Sequence, residues 1–142
     1  MASVTLVATG GNDTFYLTKP STWLAYLQRL CDYVLAGNPT TKIVFASIPP
    51  AGTFPSFGKY MRAFVGGQNE LLREGLAHFC HNQNSAITFV DKPVVFDEYL
   101  ERAGGSTKMD ELFCDGYHPS GITYRLWAED ISQHIYSVYK DL

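Results

Sequence analysis

Nowhere does this chain carry the roughly 18 consecutive apolar residues that a membrane-spanning helix needs, so no membrane span is expected. The first apolar run, Val4 to Ala8, is short and has no basic stretch before it, so no secretory leader is expected either. With Met1 as the start, the sequence points to the cytoplasm. Charge of one sign is equally scarce. Eleven Lys and Arg stand against 14 Asp and Glu, a net charge of −3 without any run of like charges, so no nucleic acid partner is expected. The 3 cysteines, Cys31, Cys80 and Cys114, are too few and too widely spaced for a disulfide framework and read as thiols. His78, Cys80 and His81 fall short of a tetrahedral ligand set, so no metal is expected. Nor is a cofactor, because Gly10-Gly11 does not extend to a Gly-x-Gly-x-x-Gly fingerprint and no helix is expected to open directly on it. A Gly-x-Ser-x-Gly nucleophile elbow, internal repeats and low-complexity segments are also missing.

What the chain does have is an alternation of buried strand and amphipathic helix. Its 142 residues, 46% of them hydrophobic, suffice for one core. Val4 to Ala8, Ile43 to Ile48 and Ile87 to Asp91 are short apolar runs bounded by Gly, Pro or Asn, the pattern of strands buried on both faces of a parallel sheet. Between them, Trp23, Leu24, Leu27, Leu30, Cys31, Val34 and Leu35 recur at helical spacing, entered at Pro20-Ser21-Thr22 with hydroxyls suited to capping and ended at Gly37-Asn38-Pro39. Leu71, Leu72, Leu76, Phe79 and Cys80 give a second helix over 68–81, and Phe96, Tyr99, Leu100 and Ala103 a short third one ended by Gly104-Gly105. Tyr124, Trp127, Ala128, Ile131, Ile135 and Val138 give the last helix, with Arg125, Glu129, Gln133 and His134 on its polar face. Strand alternating with helix in this way defines an α/β fold with right-handed crossovers. Thr14 to Thr18 reads as a loop. So does the stretch from Pro49 to about Gly67, whose Phe54, Phe57, Tyr60 and Phe64 suit either a binding wall or a partly helical cap on the core.

Two turns concentrate the residues with chemistry. Asp115 and His118 are three apart, ahead of Pro119. A carboxylate at that spacing can accept the imidazole Nδ1 proton, fix the tautomer and leave Nε2 free as a general base, although a capping Asp beside an exposed His has the same sequence. Gly10-Gly11-Asn12-Asp13 closes the first strand. There the Asn12 amide can face a developing oxyanion, or the four residues can simply form a turn.

The order GGND, then IVFASIPP, then DGYHPSGITYRLWAEDI resembles the SGNH hydrolases, the GDSL-type esterase and lipase superfamily, across almost the whole chain. The resemblance implies a flavodoxin-like three-layer α/β/α sandwich with a parallel sheet. It implies hydrolysis of a small-molecule ester through an acyl-enzyme, without a cofactor. Gly10, Asn12 and Asp13 match the third motif block, with Asn12 and Gly10 at the oxyanion. Asp115 and His118 match the fifth, as orienting acid and base. Asp13, Pro50, Phe54 and Phe57 are the expected substrate contacts.

The family's opening strand, which ends in the nucleophile block Gly-Asp-Ser, has no counterpart here, nor has the second block with its oxyanion glycine. The expectation is therefore one SGNH-type domain over 1–142, incomplete at its N-terminus and lacking the first strands of the fold. Of the serines present, Ser106 and Ser120 lie nearest the relevant turns, and spacing puts neither hydroxyl opposite the imidazole. The absent strand would lie beside Val4 to Ala8, leaving an unpaired apolar edge for a second copy or a missing N-terminal segment. A non-catalytic remnant that binds a ligand or a protein is the alternative.

Overall fold

The computed structural model describes residues 3–90, 92, 94–104 and 107–140. At its centre is a parallel sheet of β1 (Val4–Val7), β2 (Lys42–Phe45) and β3 (Ile87–Phe89), side by side in chain order. The register pairs Leu6 with Val44 and Val7 with Phe45, and on the other side Val44 with Thr88 and Phe45 with Phe89. Alternation along the strands then sorts the side chains between two faces. Ile43 and Phe45 pack with Trp23, Leu27 and Cys31 of α2 (Pro20–Gly37) and with Leu72, Leu76 and Cys80 of α3 (Lys59–His81). Val44 and Ala46 face the other way, with Val90 and with Ile131 of α5 (Gly121–Tyr139). This is an α/β/α arrangement. Both crossovers step in the same direction across the sheet, so right-handed connections put α2 and α3 on one face, and α5 covers the other.

Ile43, Val44 and Phe45 are wholly buried, and at about 1.5–3 kcal/mol for each fully buried side chain they make β2 the most stabilising strand. Burial also explains the thiols. Loss of water pushes Cys31 up to about 11, with Asp32 adding to it, and Cys80 up to about 12. A third cluster, Phe54, Phe96, Tyr99, Leu112, Phe113 and Leu126, closes the carboxyl end of the sheet and includes α4 (Phe96–Ala103).

Several boundaries differ from the sequence reading. A five-residue helix α1 (Gly11–Phe15) opens directly on the glycines in place of a loop. It starts because Gly10, at φ 106°, reverses the chain so that its carbonyl accepts both the N–H and the hydroxyl of Thr14. The expected loop to Gly67 ends at Gly58, since α3 begins at Lys59. Gly66 lies within that helix because the 3-10 turn Ala51–Thr53 packs on it, where a Cβ on Gly66 would come 3.0 Å from the Gly52 Cα. At α2, Pro20 takes the first helical position behind Lys19, so the Ser21 and Thr22 hydroxyls do not cap. β2 ends at Phe45 and β3 at Phe89. Asp91, expected to close the third strand, Gly105, expected to help end α4, and Ser106 lie outside the described residues.

The apolar face expected for α5 is rotated. Thr123, Leu126, Asp130 and Ile131 are its buried residues, whereas Tyr124 and Val138 are exposed, because the helix spans two core clusters and overhangs β1. His134 is only partly exposed, and its Nε2 is buried without a hydrogen bond among the described residues.

Candidate active site

The turn after the 3-10 segment Met109–Leu112 is clamped at its base. Phe113 and Pro119 form an antiparallel bridge, the Cys114 N–H donates to the His118 carbonyl at 2.8 Å, and the Ser120 N–H donates to the Leu112 carbonyl at 2.9 Å. Gly116 crosses the turn at φ 85°, and a Cβ there would run into the Ser56 hydroxyl. Inside this frame the Asp115 carboxylate is used completely. Oδ1 accepts the N–H groups of His118 at 2.8 Å and Tyr117 at 3.0 Å, while Oδ2 meets His118 Nδ1 at 2.7 Å. The His118 N–H, the His118 ring and the Tyr117 N–H together hold the carboxyl down at about 2. A carboxylate that stays ionised fixes Nδ1 as the protonated nitrogen and leaves Nε2 as the lone-pair face. Nε2 makes no hydrogen bond among the described residues, and the two side chains keep 77% (His118) and 51% (Asp115) of their exposure.

The first turn reaches the same place. A cavity of about 330 Å³ is lined by Asn12 and Gly11 from the start of α1, by Ala8 and Thr9 from the end of β1, and by Tyr117 and His118 from the clamped turn. Turns a hundred residues apart in sequence thus open onto one space at the carboxyl ends of the strands, where open α/β sheets hold ligands. The Asn12 side-chain amide has no hydrogen bond among the described residues and is available as a donor.

The remaining expected residues divide. Phe54 lines the cavity. Phe57 stands just behind it, 6.0 Å from the Phe54 ring and 5.1 Å from Tyr117. Pro49, rather than Pro50, touches the cavity, and Asp13, in the first turn of α1, does not line it. Gly10 is buried behind the wall; a Cβ on it would lie 2.6 Å from Ile48 Cδ1. Tyr60 and Phe64, read with the loop, are on the exposed side of α3. The Ser120 hydroxyl is buried without a hydrogen-bond partner among the described residues and does not line the cavity.

Several lining residues escaped the sequence reading: Thr9, Phe15, Asn69, Tyr117, Tyr124 and Trp127. One of them left a signal. Asn69 shares the buried stripe of α3 with Val65, Leu72 and Leu76, and a lone amide on an apolar stripe marks a polar task.

A parallel α/β sandwich with an Asp-His pair and a free Asn at its carboxyl edge has the layout of a hydrolase. The model of the GDSL-like lipase/acylhydrolase family matches residues 2–131, and the chain belongs to that family of hydrolases. No curated protein matches it. Among the described residues no helix is long and apolar enough to cross a membrane, and no group of His, Cys, Asp and Glu could hold a metal ion.

Proposed function

We propose that this chain supplies the acid, base and oxyanion side of an ester hydrolase whose nucleophilic serine comes from a polypeptide segment paired along β1. What carries the reading is that Asn12 and His118 line one cavity, with Asp115 bonded to His118 Nδ1 behind it. In the reaction His118 Nε2 takes the serine proton as the hydroxyl attacks the ester carbonyl. The developing imidazolium is held by Asp115 through Nδ1, and the oxyanion by the Asn12 amide. The imidazolium then protonates the departing alcohol. In the second half His118 draws a proton from water, which attacks the acyl-enzyme and releases the acid. Of the expected substrate contacts, Phe54 belongs to this reading in direct touch and Phe57 as its brace, whereas Asp13 and Pro50 do not line the cavity and drop out of it.

The test is labelling by a fluorophosphonate probe together with turnover of a p-nitrophenyl ester, with and without an added segment carrying a strand that ends in Gly-Asp-Ser. The expected result is silence from the chain alone and both signals on addition. In the complemented protein Asn12→Ala should lose about a hundred- to a thousand-fold in rate, as for other oxyanion donors, and His118→Ala should lose more. Unchanged turnover in Asn12→Ala removes that residue from the mechanism.

A second reading is favoured by the exposure of His118 and by the lack of any serine hydroxyl bonded to it among the described residues. On that reading the chain is a binding module, and complementation yields neither label nor product.

A further inference from the structure

Of the 14 described residues that line the cavity five are aromatic, Phe15, Phe54, Tyr117, Tyr124 and Trp127, and none is Lys, Arg, Asp or Glu. Its walls are braced. Phe54 stacks on Phe57 at 18° and meets Phe113 edge-on at 5.4 Å, and Phe57 in turn touches Phe15 at 5.8 Å and Tyr117 at 5.1 Å. From α5, Tyr124 and Trp127 present rings only 28° from parallel, 6.4 Å apart. A space lined by π faces and lacking a counter-charge for an anion favours a planar, neutral ligand. Size agrees, since a cavity of roughly 150 Å³ already holds benzene. At about 330 Å³ this one has room for a ring and an ester group.

Besides Asn12 and His118, a buried amide interrupts the aromatic wall. Asn69 is 4% exposed yet lines the cavity. Its Nδ2 donates to the Pro49 carbonyl at 3.1 Å and to the Thr14 hydroxyl at 3.4 Å. The Pro49 carbonyl can only accept, so the amide cannot be turned round. Asn69 Oδ1 therefore stays an acceptor, and it receives no hydrogen bond among the described residues.

We propose that this cavity is an aryl slot: it binds a neutral aromatic ester, with the ring between the Tyr124–Trp127 pair and the Phe54 wall and a ring hydroxyl donating to Asn69 Oδ1. The slot names the substrate class for the hydrolase reading above and rests on it only for the ester's approach to His118; binding itself needs no turnover. The two can therefore fail separately.

The experiment is a tryptophan fluorescence titration of the unmodified chain. Trp127 lines the slot, whereas Trp23 is 3% exposed in the core and serves as background, so Trp127→Phe identifies the source of the signal. Methyl 4-hydroxybenzoate should give a saturable change. Methyl benzoate should bind about two- to ten-fold more weakly, the loss of one hydrogen bond. The benzoate anion and methyl octanoate should bind more weakly than either aryl ester. Tyr124 is 52% exposed, so Tyr124→Ala should fold and weaken both aryl esters about two- to ten-fold. Octanoate or benzoate binding as tightly as the aryl esters, no preference for the hydroxylated ring, or no signal from Trp127 would each overturn the slot. Serine labelling after complementation would then still stand for hydrolysis.

Discussion

Gly10 shows how much of the site rests on a residue without a side chain. Its φ of 106° is left-handed, and a Cβ on it would lie 2.6 Å from Ile48 Cδ1 and 3.0 Å from Trp23 Cζ2. Gly10→Ala adds backbone strain of about 1–2 kcal/mol and overpacking of about 1–3 kcal/mol. A loss of roughly 2–4 kcal/mol in urea unfolding is expected, and a change below about 0.5 kcal/mol would show that α1 can shift to make room. Asp115 acts through charge instead. With its carboxyl held at about 2, against an ordinary value near 3.9, the ionised form is favoured in the fold. Its support of the turn is therefore complete above about pH 4 and is lost as the pH falls through 2. The backbone N–H of His118 is the largest cause of that shift, and it survives in His118→Ala. A carbon NMR titration of that variant should still find Asp115 below the ordinary carboxylate range; a return to the ordinary value would mean that the ring alone holds it. Asp115 and His118 were legible in the sequence because their contact spans three residues. Asn69, Tyr124 and Trp127 were not, since helical spacing tells which residues share a stripe and not which cavity that stripe borders.

Among the elements, α4 and α5 are tied by a carboxylate that periodicity did not single out. Asp130 of α5 is 5% exposed and accepts from Lys92 Nζ at 2.8 Å, the Tyr99 hydroxyl at 3.0 Å and Arg102 Nη1 at 2.8 Å. Burial pushes its pKa up, and these three donors outweigh that and bring it below the usual value. Asp130→Ala leaves the Tyr99 hydroxyl without its acceptor and Arg102 with Glu129 in place of two carboxylates. Because Lys92 and Arg102 keep contact with water, the cost should fall at or below the lower end of the buried-pair range, about 2–3 kcal/mol. Thermal unfolding at pH 7 measures it. The gap between wild type and variant should close as the pH falls below the ordinary aspartate value, since a lowered pKa contributes only where the unfolded state is also ionised. A gap that persists at pH 2 would mean that Asp130 acts through packing and not through charge. The elements themselves could be read closely wherever apolar period and breakers agreed, as in α2 between Pro20 and Gly37. They were misread where glycine served packing, as at Gly66, because a glycine that admits a neighbouring backbone looks in sequence like one that breaks a helix.

Across the whole molecule the sandwich is unevenly covered. Leu6 shares the α5 side of the sheet with Val44, but Val44 is fully buried while Leu6 is 48% and Val4 43% exposed. Beside them an apolar groove lined by Leu6, Ala8, Trp127, Ala128, Ile131 and Ile135 runs along α5. The backbone is open as well. The Ser3 and Val7 carbonyls accept from Lys42 and Ala46 of the β2 segment, so by the two-residue period of a strand the polar groups of Val4 and Leu6 point away from the sheet. An edge with free donors next to a bare apolar face favours pairing with another chain. Sedimentation velocity should therefore show association that grows with protein concentration, and Leu6→Lys should reduce it by placing a charge on that face. Hydrogen exchange at high dilution should find the Val4 and Leu6 amides fast and those of Thr5 and Val7 slow. Adding a strand segment that completes the sheet should slow the first pair and dissolve the self-association together, because both draw on the same edge. A concentration-independent monomer with Val4 and Leu6 already protected would mean that β1 is not an open edge, and the route proposed for bringing a serine to His118 would close with it.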